Sequence, residues 1–526
     1  MNPDIASGAG EVVSQHASGS LIRNVSVSSA SYAAMLIGSF ALLPVMIQFL
    51  GVQRYGLWML AVEVTSYFGN LDLGIRTAVT YYIAHYLARG SSRQLNEVAS
   101  TALWSVSLMA AILAAAGWLL AWIYPMLFDM RGQDIPEIQT AVILLMLSMA
   151  IGLPVEVLNS TLNGHRRIDI GIGIDTGSRV AGFIAMFVAL TMGYGLVVLG
   201  IIQVAGRLLC LIADWIAIRR IAPGLSFNPF KYANYTCLKS LTRFGIPSLM
   251  INLGRLVTSR ADLIMVGMIL GPRAAGLYSI PKNLMEYASG GVIAISAACS
   301  AHFTQLYASQ RTGELLKLYA KVARIIGVGV CLLAAWMATF GHDFLSLWQG
   351  PAFVSGVWTQ RADIALIILV IAFLPRMLAS MTIQLFLATG RLSFVVWTNG
   401  FEAITKIALS IWLIRGWGLA GAAIANLIPL AVFEGVAAAG YLFRSFPVEP
   451  RSFFINIVTR PLIAGILACA ASVALIALRP PSAWFTFLAE AALAAMVGLA
   501  GAFIIGFNGD ERRTVLGYIR NFRKGS

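Results

Sequence analysis

Charged residues are scarce in this chain of 526 residues, since Asp, Glu, Lys and Arg together make up only 11% of it. Soluble domains carry about a quarter. Hydrophobic residues make up 59%, and apolar runs of about 20 residues recur along the chain, each long enough to cross the hydrocarbon core of a bilayer as a helix. The composition therefore excludes a soluble protein and predicts an all-α polytopic membrane protein.

The chain also lacks the sequence signatures of catalysis and metal binding. Its five cysteines lie singly, without a C-x-x-C pair, and its five histidines are scattered. It has no phosphate-cradling P-loop, so ATP hydrolysis is not expected. The polar N-terminus, up to Ser20, lacks the basic and short apolar regions of a cleaved signal peptide. We therefore expect no catalytic residues, no metal site and no cofactor, and a first apolar segment that is retained.

Apolar runs between glycines, prolines and charged residues predict fourteen spans. Their bounds are 28–50, 57–88, 98–124, 137–161, 168–192, 194–219, 244–270, 276–305, 317–342, 363–388, 392–414, 417–443, 453–477 and 483–507. The connecting segments on the side of the termini, together with the adjoining span ends, hold 23 lysines and arginines, and those on the other side hold six. This asymmetry predicts cytoplasmic termini. The formal net charge of +14 is thus mostly a topology signal, and no nucleic-acid partner is expected.

Three short motifs occur twice along the chain. FLGVQRYGLW (49–58) recurs as ILGPRAAGLY (269–278), with Gly51 and Gly271 at the same place in the motif. LNGHR, with Gly164, matches ATGRL, with Gly390, and GYGLVVLGII (from Gly193) matches GWGLAGAAIA (from Gly416). The offset between the copies is nearly the same in all three matches, which duplication of a six-span unit explains. Six spans restore the same topology, so the two copies form parallel lobes, as in transporters whose lobes rock about a site at their interface.

The repeat predicts the domain organisation. The expected segments are a cytoplasmic tail (1–22), an N-lobe of six spans (23–221), a cytoplasmic interfacial linker (222–243), a C-lobe of six spans (244–443), two further spans (444–507) and a basic cytoplasmic tail (508–526). The linker interleaves basic and aromatic residues, so we expect it to lie on anionic headgroups.

Eight basic and ten acidic residues fall within the predicted spans when those near the span ends are set aside. Each would cost roughly 2.5–3.5 kcal/mol at a lipid-facing helix centre, so most must face a wet cavity or one another. Three acid–base pairs have the favourable i, i+4 spacing: Asp72 with Arg76, Asp175 with Arg179, and Glu402 with Lys406. The last two pairs are separated by nearly the same offset as the repeated motifs, so we expect them to be equivalent in the two lobes. Pairs that only fix helix packing are the alternative.

Other bases in the spans have few acids near them in the sequence. Arg255 and Arg260 have only Asp262 nearby, and Arg376, beside Pro375, has none. Guanidinium groups pair bidentately with phosphate oxygens, so these bases favour an anionic substrate; an acid on another helix is the alternative partner. The candidate substrate contacts are Arg255, Arg260, Arg376, Lys282 and Arg76. The candidates for coupling or gating are Asp72, Glu63, Asp262, Asp175, Arg179, Glu402 and Lys406, which leave room for coupling to a proton or sodium gradient.

Two hairpins, residues 43–78 and 259–284, resemble the polysaccharide transporter branch of the MOP exporter superfamily, the Wzx-type flippases of lipid-linked oligosaccharides. The matching features are Leu50-Gly51, Tyr55-Gly56-Leu57-Trp58, Asp72-Leu73-Gly74, Asp262, Leu270-Gly271 and Gly276-Leu277-Tyr278. The resemblance implies two six-helix lobes around a central cavity, alternating access, and oligosaccharides carried on undecaprenyl pyrophosphate across the bacterial cytoplasmic (inner) membrane. It also implies contacts with membrane lipids and other polysaccharide assembly proteins.

Three other functions compete with this interpretation. A multidrug cation exporter of the same superfamily should have a carboxylate-dominated cavity. Arg255, Arg260, Arg376 and Lys282 count against it, although the acids in the spans slightly outnumber the bases. A peptidoglycan-precursor flippase would differ only in its glycan. A membrane polysaccharide polymerase or ligase should carry a sizeable outer loop, and the longest outer connections here, 125–136 and 343–362, are short.

Overall fold

The computed structural model describes residues 3–69, 74–130, 134–478, 483–501 and 503. Within these ranges the regular secondary structure is entirely helical, because a backbone in lipid must form its hydrogen bonds within its own segment. Eleven of the described helices are long and apolar enough to cross a membrane. Large apolar side chains such as Ile112, Trp118 and Trp122 are exposed, as expected of a surface that faces lipid. The prediction of an all-α polytopic membrane protein is confirmed.

The chain divides into two compact units between Leu253 and Gly254. The helices of the first unit are α1 (Pro3–Gly69), α2 (Ile75–Ala88), α3 (Ser92–Leu127), α4 (Asp134–Gly164), α5 (Ile168–Thr191), α6 (Leu196–Ile221), the short α7 (Pro229–Tyr232) and the first part of α8 (Tyr235–Leu270). Its core includes Ile75, Val98, Leu158 and Ile218 from α2, α3, α4 and α6.

The second unit begins within α8. It continues with α9 (Pro272–Ala298), α10 (Ser300–Ala308), α11 (Thr312–Gln349), two 3-10 turns (Pro351–Phe353 and Trp358–Gln360), α12 (Ala362–Ala388), α13 (Leu392–Pro429), a π-helical segment (Leu430–Ala437), α14 (Ala438–Ser445), α15 (Pro450–Phe453), a second π-helical segment (Phe454–Thr459), α16 (Arg460–Leu478) and α17 (Trp484–Gly501). Phe303, Phe386 and Leu442 are completely buried in an apolar cluster of this unit.

The helices differ from the predicted spans in two ways. First, α1 and α13 each run through a predicted boundary and are kinked there, at Gly51 (φ 76°) and at Gly418 (φ 56°). Second, the predicted span 57–88 is not one helix, because α1 ends at Gly69 and α2 begins at Ile75 after a left-handed Gly74 (φ 70°). A break inside a predicted span is invisible to hydropathy, since both halves are apolar.

The internal repeat is visible in the backbone as turns with positive φ at matching places. Such turns occur at Gly51 and Gly271, at Gly90 and Gln310, at Arg166 and Gly390, and at Gly193 and Gly418. The offset between the members of a pair is nearly constant along the chain. Gly51 and Gly271 also share an extended ψ, 161° and 172°, in a region that is essentially open to glycine alone. The repeated motif is therefore the same turn in both units.

The backbone corrects the predicted alignment of the two copies. The residue equivalent to Gly390 is Arg166 (φ 61°), and not Gly164. Correspondingly, α5 begins at Ile168 and α13 at Leu392, two residues after each of these turns. Asp175 is thus equivalent to Asn399, and the predicted equivalence with Glu402 is wrong by three positions, which is nearly one helical turn.

Candidate functional site

Arg376 lies between two carboxylates of other helices. Its guanidinium, on α12, donates from Nη2 to Oε1 of Glu402 on α13 at 2.6 Å, and from Nε to Oε1 of Glu434 in the first π-helical segment at 2.9 Å. Glu402 is 1% exposed, and the side chain of Arg376 is 16% exposed. This base, which has no acid near it in the sequence, is therefore neutralised by two acids in the fold.

Lys406, one turn after Glu402 on α13, pairs with Asp262 of α8. Its ammonium nitrogen lies 3.6 Å from Oδ2 of Asp262 and donates a hydrogen bond to the carbonyl oxygen of Thr258. Both side chains are almost completely buried. Glu402 and Lys406, predicted as an i, i+4 pair, still interact through their charges, but their contacts within 4 Å are to Arg376 and Asp262 on other helices.

Asp262 also accepts hydrogen bonds from neutral groups. The backbone N–H of Leu263 donates to Oδ1 at 3.0 Å, and the Tyr278 hydroxyl donates to Oδ2 at 3.2 Å. The Asn426 amide lies 3.4 Å from the same oxygen. Hydrogen bonds of this kind stabilise a buried carboxylate. Tyr278 and Asn426 were not predicted as site residues, since neither is charged.

The remaining predicted bases of the second unit differ in exposure. Lys282 on α9 is 2% exposed and pairs with Glu286 at 2.9 Å, again at i, i+4. Arg260 is half-buried, whereas Arg255 is exposed. Among the described residues, no carboxylate lies within 4 Å of the Arg255 guanidinium, although its charge interacts with those of Arg376 and Glu434.

In the first unit, the predicted pair of Asp175 and Arg179 on α5 is formed, with Nε of Arg179 2.7 Å from Oδ2 of Asp175. Arg207 of α6 lies 3.8 Å from the other oxygen of Asp175. These three residues line a cavity of about 120 Å³ together with Ser178 and Gln203. A cavity of this size, lined by charged as well as apolar side chains, has room for several water molecules.

The other predicted site residues of the first unit that the structure describes, Arg76 and Glu63, do not line this cavity. Arg76 of α2 pairs with Glu156 of α4 at 3.2 Å, so its partner is an acid of another helix. Glu63 is buried, at 1% exposure. Asp72 lies outside the described residues, and its pairing with Arg76 stays a prediction.

A further ion pair fixes the start of α12, outside the apolar part of the helix. Arg361 donates to Asp363 from Nη2 at 2.5 Å, and Nδ1 of His342, near the end of α11, lies 2.8 Å from the same carboxylate. The hydrogen bond to Asp363 raises the pKa of Arg361. These contacts hold the beginning of the helix that carries Arg376.

The interfacial linker predicted at 222–243 is attached to α3. Ser226 donates its backbone N–H to Asn96 at 2.8 Å and accepts a hydrogen bond from Ser100 at 2.8 Å. The backbone N–H of Asn234 donates to Thr101 at 3.1 Å. Phe230, at 98% exposure, projects from this segment. The linker's position on lipid headgroups remains a prediction.

The model of the polysaccharide biosynthesis protein family matches residues 21–301, more than half of the chain. The chain belongs to this family. It is 22% identical over 525 residues to the uncharacterized membrane protein EpsK of Bacillus subtilis (strain 168), with 94% of this chain and 97% of EpsK covered. The resemblance seen in the hairpins is thereby confirmed.

Solved structures with the same fold include two membrane proteins. The lipid II flippase MurJ, in an inward closed conformation, superposes with a TM-score of 0.70 at 12% identity, covering 91% of this chain and 98% of MurJ. A multidrug resistance MATE family transporter of the MOP superfamily, in an inward-facing conformation, gives 0.64 at 14% identity, covering 80% and 98%. The protein therefore has the same fold as these two proteins.

Proposed function

We propose that this protein is a flippase that moves an oligosaccharide linked to undecaprenyl pyrophosphate from the cytoplasmic to the outer leaflet, for surface polysaccharide biosynthesis. The observation that carries the proposal is the set of ionised side chains inside the apolar helices of a polysaccharide biosynthesis protein. A pyrophosphate–sugar head needs polar groups to cross the hydrocarbon core, whereas its polyprenyl tail can stay in lipid.

Arg255 is the best candidate for the phosphate contact. It is an exposed guanidinium near the middle of α8, and no described carboxylate lies within 4 Å of it. Arg376 already donates to two carboxylates, so a phosphate would have to compete with them. We therefore assign Arg376 to the support of the site. Contacts from Arg260, Lys282 and Arg76 remain predictions.

The transport cycle in this proposal is alternating access without covalent chemistry. A ligand shifts the balance between two conformations only through its different affinity for them. The guanidinium that binds phosphate supplies this difference in affinity if the substrate can reach it from only one side of the membrane in each conformation. The protein acts in the bacterial inner membrane with both termini in the cytoplasm, alongside other polysaccharide assembly proteins.

Mass spectrometry of undecaprenyl-linked glycans tests the proposal in a strain that lacks the gene. We expect a lipid-linked oligosaccharide to accumulate and to be cleared by the wild-type gene. Arg255→Gln should reach the membrane at normal abundance and fail to clear it. Arg415→Gln removes another exposed guanidinium of the same unit, at an outer connection, and should clear it normally.

Two other outcomes would change the assignment. Normal clearing by Arg255→Gln would show that Arg255 does not contact the phosphate. No accumulation, together with new sensitivity to cationic dyes, would favour a multidrug cation exporter. The buried carboxylates Glu402 and Asp262 are the feature that would suit such a substrate, although both are paired with bases here.

A further inference from the structure

Asp214 on α6 is a buried carboxyl group without hydrogen bonds. The residue is 0% exposed, and among the described residues neither Oδ1 nor Oδ2 has a hydrogen-bond partner. Buried polar atoms in native proteins are nearly always paired, so an acid with two orphaned oxygens needs an explanation. It lies two turns before the end of α6 at Ile221, and its neighbours in the sequence are apolar.

The charged groups around Asp214 disfavour a negative charge on its carboxyl group. Glu156 faces it from α4 and Asp175 from α5, and both interact with it as like charges. Arg207, on the same helix, and Arg179 of α5 are paired with Asp175.

The remaining groups nearby give it no counter-charge either. Arg76 of α2 pairs with Glu156. Cys210, one turn before Asp214, contributes a thiol whose hydrogen-bond partner is Ser178. Every base named around Asp214 thus has another acid as its partner.

An ionised carboxylate in this position would lose its water shell and gain no donor in return. Burying an ionised carboxylate without a partner has a very large unfavourable free energy, so in practice the group takes up a proton instead. A protonated carboxyl keeps only a modest penalty for its polar atoms. Ionisable groups inside membrane helices are, for the same reason, functional-site candidates by default.

We propose that Asp214 is a proton-binding site of the first unit and that its loading and release couple a proton gradient to translocation. The bound ligand is a single proton, held as the neutral carboxylic acid in the conformation described. Release requires water to reach Asp214, and therefore a rearrangement of α6 against α4 or α5. A proton that can leave in only one conformation biases the balance between conformations, which is the thermodynamic requirement for coupling. The coupling half of this inference rests on the proposed transport function, and proton binding does not.

Infrared difference spectroscopy tests proton binding directly on the purified full-length protein in lipid at neutral pH, without any substrate. Wild type minus Asp214→Asn should show the carbonyl stretch of a protonated carboxylic acid, lost in the variant. A difference spectrum that contains only carboxylate bands would overturn the proposal.

Transport in proteoliposomes tests the coupling, with lipid-linked oligosaccharide extracted from the deletion strain as the probe. Wild type should be stimulated by an imposed pH gradient, and Asp214→Asn should lose the stimulation while still exchanging substrate without a gradient. Stimulation of Asp214→Asn equal to that of wild type would overturn the coupling. If Asp214→Asn transports nothing, Asp214→Glu, which keeps the carboxyl, is expected to restore stimulation, and its failure to do so would count against the proposal.

Glu490→Gln is the matched control. Glu490 on α17 is 8% exposed, and neither carboxylate oxygen has a hydrogen-bond partner among the described residues, but α17 lies outside the repeated six-span unit. This variant should keep the stimulation, and its loss would show that the effect is not specific to Asp214. If wild type moves no oligosaccharide at all, the proposed function fails, while the infrared measurement still decides whether Asp214 binds a proton.

Discussion

Replacing Arg376 with Gln should destabilise the second unit strongly. Glu402 is 1% exposed, and without the guanidinium that lies 2.6 Å away it must either keep a charge without a partner or take up a proton. Glu434 would lose the same partner. Removing one member of a buried ion pair costs about 3–5 kcal/mol, because the remaining group is left buried without compensation. At about 2 °C per kcal/mol for a unit of this size, the midpoint of thermal unfolding should fall by about 6–10 °C.

The assay is thermal unfolding of the purified protein in detergent, followed by circular dichroism. The double variant Arg376→Gln/Glu402→Gln should recover much of the loss, since it removes the uncompensated charge as well. Arg255→Gln is the matched single variant. It removes an exposed guanidinium of the same unit and should leave the midpoint nearly unchanged.

Two results would refute this reasoning. An unchanged midpoint in Arg376→Gln would show that Glu402 does not depend on the guanidinium. A stable Arg376→Gln that fails to export, combined with normal export by Arg255→Gln, would reverse the two roles and make Arg376 the phosphate contact that its position in the sequence first indicated.

Two further substitutions test the packing of buried charges and turns, and both are read as midpoints of thermal unfolding. Lys406→Met should destabilise the protein, because Asp262, at 2% exposure, would lose its only carboxylate–ammonium contact within 4 Å among the described residues. The double variant Lys406→Met/Asp262→Asn should recover stability. A Lys406→Met variant as stable as wild type would contradict the pairing. Gly74→Ala should lower the free energy of unfolding more than Gly51→Ala, although both glycines have positive φ. A Cβ added at Gly74 would lie 2.1 Å from the Gly245 carbonyl oxygen, whereas a Cβ added at Gly51 would have no atom within 4 Å apart from its chain neighbours. Equal losses of stability in the two variants would show that backbone strain alone, about 1–3 kcal/mol, accounts for both effects.

Much of the fold could be predicted because its strongest signals are local. A helix in lipid satisfies its own backbone, so an apolar run is enough to define it. Gly51 and Gly271 identify the repeated turn because their backbone conformation is nearly closed to other residues. The break before Gly74 was missed because hydropathy sees an apolar stretch on either side of it, although Gly69, Asn70, Asp72 and Gly74 are residue types that favour turns.

The charged site could be predicted only in part, because ion pairs between helices depend on packing. Asp175 and Arg179 pair along one helix, and their spacing was sufficient to predict this contact. Glu402 and Lys406 have the same spacing, but α12 and α8 bring Arg376 and Asp262 to them. The alignment of the two copies failed for a related reason. A misalignment of three residues is nearly one helical turn, so the acid–base pattern stays on nearly the same helix face and the charges alone do not reveal the error.

The two units have the same turns but bury their charges differently. In the second unit, Arg376, Lys406 and Lys282 each reach a carboxylate, so its buried charges are largely compensated. The first unit leaves Asp214 without a hydrogen bond in the described structure and places Asp175 at a polar cavity. Compensated charges resist a change of protonation, whereas an orphaned carboxyl responds to it. Duplication thus explains the shared backbone. Within the repeated six spans, the unequal pairing of acids places the proposed proton site in the first copy only, since Glu490, the other carboxyl with two orphaned oxygens among the described residues, lies outside the repeat.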